Sequence, residues 1–152
     1  MSAIHNTFVL ERTFPVAPER VFAAFADPAV KQRWFTGGAG TQHYELDFRE
    51  GGKECAKTRL PEGTPVAGLL CTNNTIYLNI VPSKRIVFTT TMHIEANCIS
   101  ASLATIELIP TAAGTDLIFT HQAAFFEGAD GPAMREAGWK SLFDRLTSEL
   151  AV

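Results

Sequence analysis

Between Asp130 and Val152 the apolar residues fall at helical spacing. With Trp139 as origin, Leu142, Phe143, Leu146 and Leu150 follow at i+3, i+4, i+7 and i+11, and Lys140, Ser141, Asp144 and Ser148 take the other side. Asp130-Gly131-Pro132 supplies a start, a capping carboxylate or glycine followed by a proline whose missing N–H costs nothing in a first turn. The pattern predicts a helix from about Asp130 to Ala151, ~30 Å long. An apolar stripe of this kind has to be buried, and a helix of that length can lie across a whole sheet.

The preceding chain supplies that sheet. Phe8 to Pro15 alternates apolar and polar residues with period 2 and predicts a first strand. Two short helices follow: Pro18 opens one carrying Val21, Phe22 and Phe25, which Asp27 and Pro28 end. The second runs from Pro28 to about Phe35 with Val30, Trp34 and Phe35, and the Gly37-Gly38 pair ends it. Strands are then expected at His43–Arg49, Lys53–Leu60, Val66–Val81 (bent near Asn73 and Asn74), Arg85–His93, Ile99–Ile109 and Thr115–Phe125. Glu50-Gly51-Gly52, Pro61-Glu62-Gly63, Pro82-Ser83-Lys84 and Thr111-Ala112-Ala113-Gly114 are the turns between them. Links this short make neighbouring strands antiparallel. The order is that of an α+β layer, in which a sheet of about seven strands curls because its twist accumulates. A helix gripped by a curled sheet need not touch it everywhere, so a cavity can form between the two.

A chain of 152 residues without a linker, a repeat or a break in composition is expected to form a single domain, 1–152. The net charge of −3 gives no electrostatic footprint for nucleic acid. No apolar run reaches the ~18 residues of a membrane span, and no signal peptide is visible, so a cytoplasmic location is expected. Cys55, Cys71 and Cys98 lack metal-ligand spacing and are expected to be reduced, although a turn centred near Gly63 would set Cys55 opposite Cys71. His5, His43, His93 and His121 match no metal motif, and Gly37-Gly38-Ala39-Gly40 lacks the Lys-Ser/Thr of a phosphate loop. Neither a metal nor a cofactor is therefore expected. That glycine stretch reads as a flexible loop at the cavity entrance.

Four motifs occur in order: Pro15-Val16-Ala17-Pro18-Glu19-Arg20-Val21-Phe22 with Ala23 to Pro28 and Trp34-Phe35; Ile80-Val81-Pro82-Ser83-Lys84-Arg85-Ile86-Val87-Phe88; Gly114-Thr115-Asp116-Leu117 with Thr120-His121; and Gly138-Trp139 with Leu142 and Leu146. Together they resemble the Hsp90-ATPase-activator-homologue family of the START-like (SRPBCC, Bet v 1-like) superfamily. The resemblance implies the helix-grip fold, a curved antiparallel sheet around a long C-terminal helix with a cavity between them. The namesake domain helps stimulate the Hsp90 ATPase, and wider relatives bind lipids, hormones or polyketides. The chain departs from that pattern at Thr90, where relatives often carry an aromatic, and at Asn79, where an acidic residue is common.

His121 shares strand parity with Leu117 and Phe119 and is the leading polar candidate for a cavity, either as a hydrogen-bonding group or as a general base, with a histidine bonded to a backbone carbonyl or sitting at a strand end as the alternative. Arg135 lies one helical turn before Trp139, where its guanidinium would face an anionic ligand at the cavity mouth or snorkel to solvent. Trp34, Phe35, Phe88, Phe119, Trp139 and Phe143 are the aromatic candidates for the cavity wall, with plain core packing as the alternative for each. Three function classes follow. The first is binding of a small hydrophobic molecule or lipid. The second is a chaperone-linked or self-associating interaction domain. The third is a cyclase- or hydrolase-like enzyme pairing His121 with Glu54 or Glu107. No acid–base pair is visible from spacing, so the balance is against catalysis and no catalytic residue is assigned.

Overall fold

The computed structural model describes residues 2–38 and 40–151. Its elements are β1 (Ile4–Phe14), α1 (Pro18–Ala26), α2 (Pro28–Phe35), β2 (Thr41–Leu46), β3 (Lys53–Arg59), β4 (Leu70–Val81), β5 (Arg85–Ile94), β6 (Asn97–Thr111), β7 (Gly114–Phe125) and α3 (Pro132–Leu150). The strands form one antiparallel sheet in the order β1-β7-β6-β5-β4-β3-β2. Strands β1 and β2 thus lie at opposite edges, and α1 and α2 carry the chain between them across the concave side. The result is the helix-grip architecture expected from the sequence, with α3 held in the curve of the sheet.

Each short helix begins with a proline in its first turn, and the Asp27 carboxylate accepts from the Ala29 N–H to cap α2. At α3 the cap is Gly131, with φ of 89°. Asp130, the other candidate cap, directs its carboxylate to Arg135 instead. Strand β4 begins at Leu70 rather than Val66, because Pro65 and the positive φ of Gly68 hold 61–69 in turns fastened by Gly68 N–H to the Leu60 carbonyl and Leu60 N–H to the Leu69 carbonyl. Its irregularity falls between Tyr77 and Asn79, not at Asn73 and Asn74. There Asn79 accepts a 2.8 Å bond from Arg85, neutral recognition where an acidic residue would form an ion pair. Of the glycine loop, Gly37, Gly38 and Gly40 have positive φ, and Ala39 lies outside the described residues.

The β3–β4 register pairs Cys55 with Asn74 and Thr58 with Cys71. The two cysteines are three positions out of register and, by strand alternation, on opposite faces, so the pairing suggested by a turn at Gly63 does not arise. All three cysteines are free.

The concave face divides along the strands. At one end Phe14, Ile86, Ile106, Leu117 and Phe119 pack with Val21 and Phe25 of α1 and with Phe143, Leu146 and Leu150 of α3 in a sealed core. Toward the other end the inward residues become short or polar. On β6 they run Leu108, Ile106, Ala104, Ser102, Ser100, and on β5 Ile86, Phe88, Thr90, Met92. Trp139 and Leu142, expected to be buried with the rest of the α3 stripe, pack against the core but stay half-exposed. Side chains that short cannot reach the helix, and a cavity is left between them.

Candidate functional site

The cavity has a volume of about 300 Å³ and lies between the face of α3 that carries Arg135, Trp139 and Leu142 and the short side chains of β3 to β7. Its floor includes Thr75, Thr90 and Ser102; Thr75 and Thr90 share a 2.8 Å hydroxyl bond, and Ser102 donates to the Thr90 carbonyl. At Thr90 the short side chain leaves to the cavity a volume that an aromatic would fill.

Five of the eight residues singled out in the sequence line this space: Phe35, Phe88, His121, Arg135 and Trp139. The other three lie behind the wall. Trp34 is sealed beneath α2 with its indole N–H donating to the Ala24 carbonyl at 2.9 Å, and Phe119 and Phe143 pack edge-on to each other behind Trp139. Trp139 joins wall to core, 4.5 Å from Phe119 and 6.1 Å from Phe35 between ring centroids.

His121 is 2% exposed and stacks on Phe8, its cross-strand partner, at 4.7 Å between centroids. Nδ1 is buried without a hydrogen-bond partner, and no bond to the ring occurs among the described residues. Burial, reinforced by the nearby Arg135 guanidinium, lowers its pKa to about 4, so the ring is neutral at pH 7. A neutral imidazole offers one donor and one acceptor. Among the described residues no carboxylate pairs with it: Glu54 is engaged elsewhere and Glu107 is exposed on the convex face.

Arg135 neither snorkels nor stands open at the mouth. It is 7% exposed, forms a two-bond fork with Asp130 (2.9 and 2.7 Å), donates to Ser100 at 3.0 Å and lies 5.0 Å over the Phe125 ring.

The sequence reading missed the network on the opposite wall. The Lys31 ammonium reaches both Glu54 oxygens (3.1 and 3.0 Å), Tyr77 donates to one at 2.8 Å and Tyr44 to the other at 2.6 Å. Lys31 and Glu54 are both buried, and the ammonium sits 4.4 Å over the Phe35 ring. Burial and the Glu54 charge push both tyrosine pKa values up, so both hydroxyls remain donors. A signal existed: Lys31 lies three and four residues before Trp34 and Phe35 on the apolar side of α2, and Glu54 alternates with Ala56 on the inward side of β3.

A curved antiparallel sheet, two short helices after its first strand and a C-terminal helix over a cavity define a START-like domain. The family model described as Activator of Hsp90 ATPase homolog 1-like protein matches residues 15–151, and the chain belongs to that family. An uncharacterized protein from Rhizobium leguminosarum is 34% identical, with 99% of this chain and 97% of that chain covered and a TM-score of 0.91. A protein from Rhizobium loti is 42% identical, with 98% and 99% covered and a TM-score of 0.88. One from Chromobacterium violaceum is 25% identical, with 94% and 96% covered and a TM-score of 0.73. No curated protein matches the chain. Among the described residues no helix is long and apolar enough to cross a membrane.

Proposed function

We propose that this domain binds a compact small molecule in the cavity between α3 and the concave face, with Trp139, Phe35 and Phe88 as apolar wall and His121 as the orienting polar group. The observation that carries the reading is a buried, neutral imidazole with no hydrogen-bond partner among the described residues, on the wall of a 300 Å³ cavity. Buried polar groups are nearly always bonded, and a ligand can supply the missing bond. The volume is at the lower end for small-molecule sites, and the threonine and serine floor favours an amphipathic ligand over a bulky lipid. Trp34, Phe119 and Phe143 support the wall from behind rather than touching the ligand.

Micromolar affinity corresponds to about −8.2 kcal/mol. At ~25 cal/mol per Å² that requires several hundred Å² of apolar burial once association costs are met. Screening a small-molecule library by thermal shift tests this, since saturating ligand raises apparent stability by about 2.7 kcal/mol at a hundred times Kd. Thr90→Phe fills the cavity and should abolish every shift. Trp139→Ala should weaken all ligands, and His121→Phe only those with a hydrogen-bonding group at the ring. Shifts that persist in Thr90→Phe would place binding elsewhere. The chaperone-linked alternative has the family name in its favour and would be supported by Hsp90 ATPase stimulation that survives Thr90→Phe.

A further inference from the structure

We propose that the cavity takes a monoanion, an aryl or alkyl carboxylate whose charged end is held by Arg145 and whose body runs along α3 toward His121. The inference rests on the binding reading above and adds to it the charge and direction of the ligand. Five ionised side chains line the cavity: Lys31, Glu54, Asp130, Arg135 and Arg145. Lys31 and Glu54 neutralise each other at 3.0 Å, as do Arg135 and Asp130 at 2.7 Å. Arg145 is left over, with no ion pair or hydrogen bond among the described residues. The ionised lining therefore carries one uncompensated positive charge, and it stands at one end.

Arg145 is exposed on α3, yet its side chain does not simply extend into water. Its guanidinium lies against Gly37, where an added Cβ would collide with Nη1, and Gly37 has a φ of +70° that also favours glycine. The side chain thus crosses the gap from α3 to the turn after α2 and borders the cavity. Beside that turn Arg33 of α2 pairs with Glu149 of α3 at 2.8 Å, a second contact between the two helices at this end. A guanidinium so placed presents its fork of donors, which matches a carboxylate in two parallel bonds.

Trp139, against which His121 lies at 6.4 Å between centroids, precedes Arg145 by six residues. At 1.5 Å per residue the charged and neutral polar stations are roughly 9 Å apart along the helix. Between them the lining is Phe35, Leu142 and Trp139 against Phe88. A molecule with a carboxylate at one end, a flat or slender apolar body and a hydroxyl or carbonyl at the other meets all three regions. 3-(4-hydroxyphenyl)propionate has that layout.

The test uses matched pairs: 3-(4-hydroxyphenyl)propionate, 3-phenylpropionate and octanoate, each beside its primary amide, measured by calorimetry with the full chain. The acids should bind at least tenfold tighter than the amides, and added salt should weaken the acids alone. Arg145→Gln should bring each acid to within about twofold of its amide, mostly by weakening the acid, and leave the melting temperature of the free protein where it was. Equal affinity of acid and amide in the wild type, or a preference that survives Arg145→Gln, overturns the inference while the cavity reading stands. Failure of every acid and every amide to bind overturns both.

Discussion

Glu54 and His121 are buried to almost the same degree on two walls of one cavity, and their hydrogen bonding is opposite. Glu54 accepts four bonds, from Lys31 twice and from Tyr44 and Tyr77 once each, which fills its lone-pair positions. His121 accepts and donates none among the described residues. A carboxylate filled in this way has no acceptor position left for a ligand and works as a fastener, here of α2 to β2, β3 and β4. An open group keeps a bond to give. Exposure alone would have ranked the two together, and bonding separates them.

The largest effect expected from breaking the contrast is at the closed wall. Glu54→Ala leaves the Lys31 ammonium buried among Phe25, Trp34 and Phe35 without a counter-charge, and should cost about 3–5 kcal/mol in urea denaturation. A cost below about 1 kcal/mol would mean that water reaches Lys31 and the wall is not closed.

The second prediction follows α3 from core to cavity. Leu146→Ala, at a fully buried position, should cost about 2–5 kcal/mol. Leu142→Ala, on the cavity wall and already half-exposed, should cost less than half as much. Equal costs would place Leu142 in solid packing and remove the cavity.

The third concerns pH. The folded-state pKa of His121, about 4, lies below its ordinary 6.5, so the unfolded chain takes up the proton first as pH falls. The contribution is fully present above about pH 6.5 and is lost between 6.5 and 4, for about 3 kcal/mol in all. Arg135 and Asp130 are the charged groups that act on the ring, and Asp130 opposes part of the lowering. Wild-type stability measured against His121→Phe across that window isolates the term. Parallel curves would show that His121 titrates normally and is not held in a dry site.

The smallest effect is expected at Tyr44→Phe, which removes one bond to a charged acceptor at a half-buried position and should cost about 1–2 kcal/mol.

The architecture was legible because periodicity reports it directly. The α3 stripe, the Gly131-Pro132 start and the turn chemistry between strands are local; the misses are at strand ends and irregularities: β1 begins at Ile4 instead of Phe8, β2 ends at Leu46 instead of Arg49, the β4 irregularity falls at Tyr77/Asn79, and Val66 read as strand despite Pro65 and Gly68 beside it. Strand parity also placed His121 on the inner face. The closed network was not legible in the same way: Lys31 and Glu54 are 23 residues apart and meet only because α2 is carried over the sheet from its opposite edge. Parity likewise does not tell core from cavity wall, since Phe119 and His121 point the same way. What separates them is the length of the side chains facing them, Ile106 for the first and Ala104 for the second.

The two tryptophans report on the two walls separately. Trp34 lies beside Lys31 at the closed wall, and Trp139 lies beside His121 at the open one. Their indole N–H resonances, assigned with a Trp139→Phe variant, should respond differently when the carboxylate and amide probes are titrated into nitrogen-labelled protein. The Trp139 resonance should shift saturably with the Trp34 resonance unmoved. A Trp139 resonance that stays fixed while any probe binds, or a Trp34 resonance that moves in its place, would contradict binding at the open wall.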